Sequence, residues 1–410
     1  MAHRSPILTF LLALFSVSLV VILATNPETS FQAALRGIQI WWEVVFPATL
    51  PFIVLSEILM GFGVVHFVGV LLEPLMRPLF NVPGTGGFVF TMGFSSGYPV
   101  AAKITTRLRE QNNVSRVEGE RLVSLATTSD PLFVIGAVAI GFFHSEQLGL
   151  TLAITHYVSA LLLGLLFRFH AWTEPPSKSL YKKEVPLLLR ALQEMHRARL
   201  RDGRPLGRLM GDAVETALHT LFMIGGFIIV FSVVMELLMK VNLTQTLSTV
   251  LTVILGPLGF PEDFSKSVVV GLFEVTLGAQ AASQVSASIS LMWKAAIASA
   301  ILSWGGLSVH AQVASILSKT DIRVAPYLLA RIVHAILAAL LTIIAWRPLQ
   351  LLVHGEKAAV PVFVAPQPTT AVPHHWWHHL SQSSLMALSL FAVLAAGSIL
   401  VRKTVLKGNR

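Results

Sequence analysis

The chain has 410 residues, 54% of them hydrophobic and only 12% charged, with a formal net charge of +9. Soluble domains carry about 25% charged residues, so this balance excludes an ordinary soluble protein and points to a lipid solvent. The absence of cysteine excludes disulfides, thiolate metal sites and a cysteine nucleophile. In such a chain the basic excess belongs to cytoplasmic loops and not to a nucleic-acid partner.

Apolar spans are expected over 7–25, 41–61, 64–80, 87–103, 122–143, 148–169, 214–239, 243–258, 267–283, 290–317, 326–346 and 385–401. About 20 apolar residues cross a hydrocarbon core as a helix, and helices satisfy their own backbone there. The reading is an all-α polytopic membrane protein of about ten to twelve helices. The first span lacks a small-residue cleavage site, so it is retained as a helix, with an outside loop up to residue 40. Span 64–80 contains Glu73, Pro74, Arg77 and Pro78 and suits the interface as well as the core. Spans 87–103 and 267–283 are short and Gly-rich and suit re-entrant hairpins as well as crossings.

Lysine and arginine set the orientation. The loop 103–121 and the linker 170–213, which carries Lys182, Lys183, Arg197, Arg199, Arg201 and Arg204, are expected inside. Within the linker, "LLLRALQEMHRARLR" suits either an amphipathic helix on lipid headgroups or a solvated loop. After residue 346 come an outside loop and a last helix, 347–410. The loop's "HHWWHH", His374 to His379, offers imidazoles, but an interfacial aromatic belt explains its tryptophans more cheaply. No metal and no cofactor is expected.

The two halves resemble each other. "RPLFNVPG" (Arg77 to Gly84) matches "GPLGFPED" (Gly256 to Asp263) in pattern, "FTMGFSSGYPVAAK" (Phe90 to Lys103) matches "GLFEVTLGAQAAS" (Gly271 to Ser283), and "SDPLFVIGAVA" (Ser129 to Ala139) matches "WGGLSVHAQVA" (Trp304 to Ala314). The offsets cluster near one value, and each unit, 41–169 and 214–346, holds an odd number of crossings. Two such units in series are two inverted-topology repeats, a construction common among secondary transporters. Loop charge agrees: the basic loop 103–121 has an uncharged counterpart at 284–290, while 144–147 lacks the Lys319 and Arg323 of its counterpart at 318–325.

Within "MGFSSGYPVAAK" the residues Ser95, Ser96, Gly97, Tyr98 and Pro99 are what a broken helix needs. Broken helices at a repeat interface expose backbone N–H groups that favour an anion. The candidate substrate-binding residues are Ser95, Ser96, Gly97, Tyr98, Lys103, Asp130, Glu274, Thr276, Gln280, Ser303 and His310. Asp130 and Glu274 are carboxylates inside apolar spans, which points to a substrate, ion or proton role. Asp130-Pro131 also suits a helix N-terminus. Lys103 suits either an anionic substrate or the interface, and His310 either titration near neutral pH or a satisfied core position. The "GFSSG" pattern matches G-x-S-x-G, but no strand–turn–helix context surrounds it, so no enzyme is expected.

"GFSSGYPVAAK", "TSDPLFVIG", "FEVTLGAQ" and "SWGGLSVHAQ" resemble the nucleoside-recognition, or Gate-domain, membrane proteins over residues 40–346. The resemblance implies a fold related to concentrative nucleoside transporters, with re-entrant hairpins. Its sporulation branch implies transport of dipicolinic acid across the outer forespore membrane, with dipicolinate, membrane lipid and no nucleic acid as partners. Lys103 or His310 would then meet the dianion, and Tyr98 would stack on its ring. A nucleoside substrate, a non-transporting regulator and a homo-oligomer stay open.

Overall fold

The computed structural model describes residues 6–174, 177, 186–256 and 262–355. Every regular element among these residues is helical. The fold is the expected all-α polytopic one, and five helical stretches are long and apolar enough to cross a membrane: Pro27–Gly61, Glu146–Phe167, Leu206–Lys240, Leu291–Leu317 and Val324–Leu351. The His-rich segment 374–379 and the span expected over 385–401 lie outside the described residues.

Helix α1 (Pro6–Thr25) is followed by α2 (Pro27–Ile40), where an outside loop was expected. The correction has a local cause. Pro27 sits where its missing N–H costs nothing, Glu28 lies in the first turn, and Gln32 donates to Glu28 at 2.9 Å. A π-helical turn, π1 (Trp41–Val45), joins α2 to α3 (Phe46–Gly61). Trp41 lies against Gly225 of α10 (Leu206–Lys240) and donates its indole N–H to the Leu221 carbonyl at 2.9 Å. Helix α4 (Val64–Phe80) turns away from α3 at Gly63.

Next comes a hairpin of α5 (Gly86–Ser96) and α6 (Tyr98–Glu110), whose arms pack on each other. The span expected over 122–143 is interrupted: α7 (Arg116–Ala126) ends, 127–130 is non-helical, and π2 (Phe133–Phe142) follows. Helix α8 (Glu146–Phe167) completes this half. After α9 (Leu187–Asp202), α10 and α11 (Leu243–Leu255), the order recurs. A second hairpin pairs α12 (Ser265–Phe273) with α13 (Val275–Ser283), a broken helix runs through α14 (Leu291–Trp304) and α15 (Gly306–Leu317), and α16 (Val324–Gly355) closes the half. The arms of the second hairpin touch backbone to backbone, so a Cβ on Gly278 would lie 2.3 Å from the Gly271 Cα.

Packing between the halves is reciprocal. The second arm of each hairpin lies on the distal part of the other half's broken helix, α6 on α15 and α13 on π2. Likewise α7 packs on α16 and α14 on α8. Each pair maps onto the other when the halves are exchanged, as a two-fold relation requires.

Segments 103–121 and 318–325 meet at one end, with Arg77 and His170 beside them. Arg109 pairs with Asp321 at 2.7 Å, Arg323 with Glu120 at 2.7 Å, His170 with Glu120 at 2.7 Å and Arg77 with Glu118 at 2.6 Å. Ser115 and Glu118 cap α7 reciprocally, and Arg121 donates to the carbonyls of Asn81 and His170. Burial opposes ionisation of Glu118 and Glu120. Hydrogen bonds from Ser115, Ser177 and Arg77 to the first, and from Arg323 and His170 to the second, outweigh it and hold both carboxyls below their ordinary range.

Candidate functional site

The four interruptions meet at one junction. At the first hairpin tip Gly97 has φ 79°, and a Cβ there would lie 3.4 Å from Asp130 Oδ2 in the first broken helix. A Cβ on Gly306 would lie 3.0 Å from the Phe273 carbonyl at the second hairpin tip. Tyr98 joins the halves. Its ring lies 3.5 Å from the Cβ position of Gly305, and its hydroxyl donates to the Leu302 carbonyl at 2.5 Å. A bulky, strained or L-configured residue at Gly97 would disturb a backbone conformation that glycine alone adopts freely.

The breaks create four helix N-termini, treated in two ways. Asp130 Oδ1 accepts from the N–H groups of Leu132 at 3.1 Å and Phe133 at 2.9 Å, capping the helix that continues into π2. Glu274 Oε2 accepts from Leu277 N–H at 2.7 Å and Oε1 from the Thr276 hydroxyl at 3.1 Å, capping α13. Helices α6 and α15 have no side-chain cap. They run parallel, with Tyr98 of α6 beside Gly305 at the start of α15 and Arg109 near the end of α6 paired with Asp321 just past the end of α15. Each N-terminus carries about half a positive charge, so two open positive ends lie side by side at the junction and two others are neutralised by carboxylates.

Arg331 of α16 is fully buried beside them. Its guanidinium donates to the Ser124 and Thr127 carbonyls at the end of α7, and to His334 Nδ1 at 3.1 Å. Its Nε has no hydrogen-bond partner among the described residues, and no described carboxylate pairs with it. His334 therefore carries its proton on Nε2, which donates to the His156 carbonyl at 3.1 Å. The N–H of Ser129 donates to His156 Nε2 at 3.2 Å, which places that ring's proton on Nδ1, facing Ser303 Oγ at 2.9 Å. Tyr157 donates to the Ser129 carbonyl at 2.9 Å. One hydrogen-bonded chain thus runs from α16 through α8 to α14 and holds the 127–130 segment open. His310 is buried, bonds Tyr327 through Nδ1 at 3.1 Å, lies edge-on to Trp304 and leaves its Nε2 without a described partner.

Of the residues singled out from sequence, Gly97, Tyr98, Asp130, Glu274, Thr276, Ser303 and His310 line or brace the junction. Ser95 and Ser96 are half-buried in the last turn of α5, where Ser56 of α3 donates to the Ser95 carbonyl at 3.1 Å. Gln280 is half-buried further along α13. Lys103 is exposed on α6 and does not join the junction. Tyr98 is buried as a clasp between halves, with no free face for stacking. His156 is bonded to Ser129 and Ser303, and His310 to Tyr327. Sequence reasoning missed Arg331, His334 and Tyr157. The signal was available: "LARIVHAIL" places an arginine and a histidine three apart within an apolar span, and an intramembrane ionisable residue is a functional candidate by default.

Residues 42–146, which contain the first hairpin and first broken helix, match the Gate family model, described as nucleoside recognition. The chain is 47% identical over 350 residues to the sporulation integral membrane protein YlbJ of Bacillus subtilis, covering 85% of each chain. An uncharacterized protein of Alkalihalophilus pseudofirmus is 26% identical over 160 residues, 38% of this chain and 32% of that one. The solved structure of CNTnw in an inward-facing substrate-bound state aligns with a TM-score of 0.49 and 14% identity, covering 83% of this chain and 87% of that one. The extent of identity to YlbJ decides membership: the chain belongs to the YlbJ family of sporulation integral membrane proteins.

Proposed function

We propose that the protein carries a small anionic metabolite across the membrane, with dipicolinate during sporulation as the substrate and the outer forespore membrane as the site of action. The observation that carries this reading is Arg331, a buried arginine without a described carboxylate partner, beside the two uncapped N-termini of α6 and α15. A buried cation lacking a counter-charge is costly, and a bound anion removes that cost. Planar carboxylates suit a guanidinium and helix N-termini. The units 41–169 and 214–346 act as inverted repeats that present the junction to the two membrane sides in turn. Asp130 and Glu274, which cap the other two N-termini, serve a coupling cation or proton.

The test is uptake by purified protein in liposomes, with internal terbium reporting dipicolinate by luminescence. Saturable uptake that Arg331→Gln abolishes in folded protein supports the reading. Absence of uptake under proton or sodium gradients moves the reading to a non-transporting regulator. The family model's description favours a second substrate class, so uridine and adenosine belong in the same assay as competitors. Competition by either at concentrations below that of dipicolinate selects a nucleoside carrier.

A further inference from the structure

A cavity of about 280 Å³ is lined by Glu57, Met60 and Gly61 of α3, His66 of α4, Ala198, Arg201 and Asp202 of α9, and Arg204, none of them among the residues that line or brace the junction. Its position fixes its environment. The span Pro27–Gly61 ends at the cavity and the span Leu206–Lys240 begins beside it, so the cavity sits where the chain enters and leaves the membrane.

Helix α9 forms its outer wall and is firmly docked. Arg190 pairs with Glu73 of α4, Arg199 lies 5.4 Å over the Phe62 ring, and a Cβ on Gly63 would lie 2.4 Å from the Met195 carbonyl. Leu187, Ala191 and Ala198 are buried against the protein, while Leu188, Leu189, Leu192 and Leu200 on another face are exposed. This helix therefore has one side on protein and one side for the interface.

The charges in the cavity are unevenly used. Arg204 is held by Asp202 at 2.6 Å and Asp212 at 2.9 Å, and Asp202 also receives Arg199. Arg201 and Glu57 have no hydrogen bond or ion pair among the described residues, and His66 Nδ1 is buried without a partner. Arg201 and Glu57 thus face a single space without a direct partner among the described residues, beside an unmet ring nitrogen. At the start of α10, just past Arg204, Leu206 and Met210 are exposed apolar side chains, a surface suited to acyl chains.

We propose that this cavity binds the headgroup of an amine-bearing phospholipid, with the phosphate on Arg201 and the ammonium on Glu57. A free phosphate metabolite would leave Glu57 unpaired and would not explain the apolar flank. An anionic lipid without an amine would place negative charge against Glu57. The occupant would brace α9 against α3 and α4, and so tie the linker between the halves to the membrane.

The test uses the full chain in detergent, measured by native mass spectrometry and thermal melting with dioleoyl lipids that carry ethanolamine, glycerol or choline headgroups. Phosphatidylethanolamine is expected to be retained at higher collision energy than the other two and to raise Tm the most. Glu57→Gln and Arg201→Gln should each remove that preference, and Arg201→Lys should keep part of it. Melting of the lipid-free variants reports folding separately. Equal retention of all three lipids, a preference for phosphatidylglycerol, or an ethanolamine preference that survives both neutral substitutions in folded protein would each overturn the proposal.

Discussion

Two regions of this molecule bury ionisable side chains, and they handle charge in opposite ways. At the end where segments 103–121 and 318–325 meet, carboxylates meet arginines: Glu118 takes Arg77, and Glu120 takes Arg323 and His170. At the central junction carboxylates and arginine avoid each other. Asp130 and Glu274 cap helix N-termini and Arg331 caps a helix C-terminus. Matched charges make a latch that is complete in itself. Charges given only to backbone dipoles keep an appetite for counter-ions, and a binding site needs that.

The sharpest way to break this contrast is Arg331→Gln. Loss of a charge-assisted anchor of about 3 kcal/mol should lower uptake by about 100-fold at subsaturating substrate. Arg331→Lys should not rescue it, because one ammonium cannot reproduce the guanidinium's fork to two carbonyls. Uptake unchanged in either variant would remove the arginine from the site. Next in size is Glu120→Gln. It strips charge from a carboxylate that pairs with two arginines, Arg323 and Arg116, and one histidine, so Tm should fall and labelling, from the side of this cluster, of a cysteine placed at position 303 should rise. If only stability changes, the cluster is a brace and not a latch.

Glu274→Gln and Asp130→Asn keep the shape of the cap and lose its charge. Each should cost about 1 kcal/mol of stability and remove the dependence of uptake on the driving gradient while substrate binding persists. A smaller effect is expected from pH. Glu118 and Glu120 have lowered pKa values in the folded protein, so their contribution is complete at neutral pH. It is lost as pH falls through and below the ordinary carboxylate range near 4.5. Melting measured from pH 7 downward should show this loss, and Glu120→Gln should flatten it. Gly97→Ala should lower stability by roughly 1–3 kcal/mol, because it forces an L-residue into a backbone region at φ 79° that is essentially glycine's own.

The interrupted elements were legible where the sequence itself breaks. Gly97-Tyr98-Pro99 and Gly305-Gly306 put unusual backbone at identifiable positions, and Asp130-Pro131 is a capping pair wherever it occurs. The matching of Phe90–Lys103 with Gly271–Ser283 likewise placed the second hairpin, whose tip contains no proline. What stayed hidden was partnership. Nothing local tells that Arg331 reaches Ser124 and Thr127, some two hundred residues away, or that Tyr98 is consumed by Leu302. For Lys103 the sequence left open an anionic substrate or the interface, and helical periodicity turns that residue outward. Residues 27–40 fall between the spans expected over 7–25 and 41–61 and contain Glu28, Gln32, Arg36 and Gln39. Their polar groups serve a neighbouring helix, as Arg36 does with Glu236 at 2.5 Å.

The bare contact between Gly271 and Gly278 has a mechanical consequence. Two helices touching through their backbones have no side chains between them to rotate aside, so the second hairpin has no slack with which to flex like a pair of tweezers. It can be carried as a plank, but it cannot yawn. In the proposed transport cycle, passage for a solute would come from sliding or tilting the hairpin whole against its neighbours. A single methyl at position 278 would act as a wedge driven into the plank, and would jam the motion without touching the cargo.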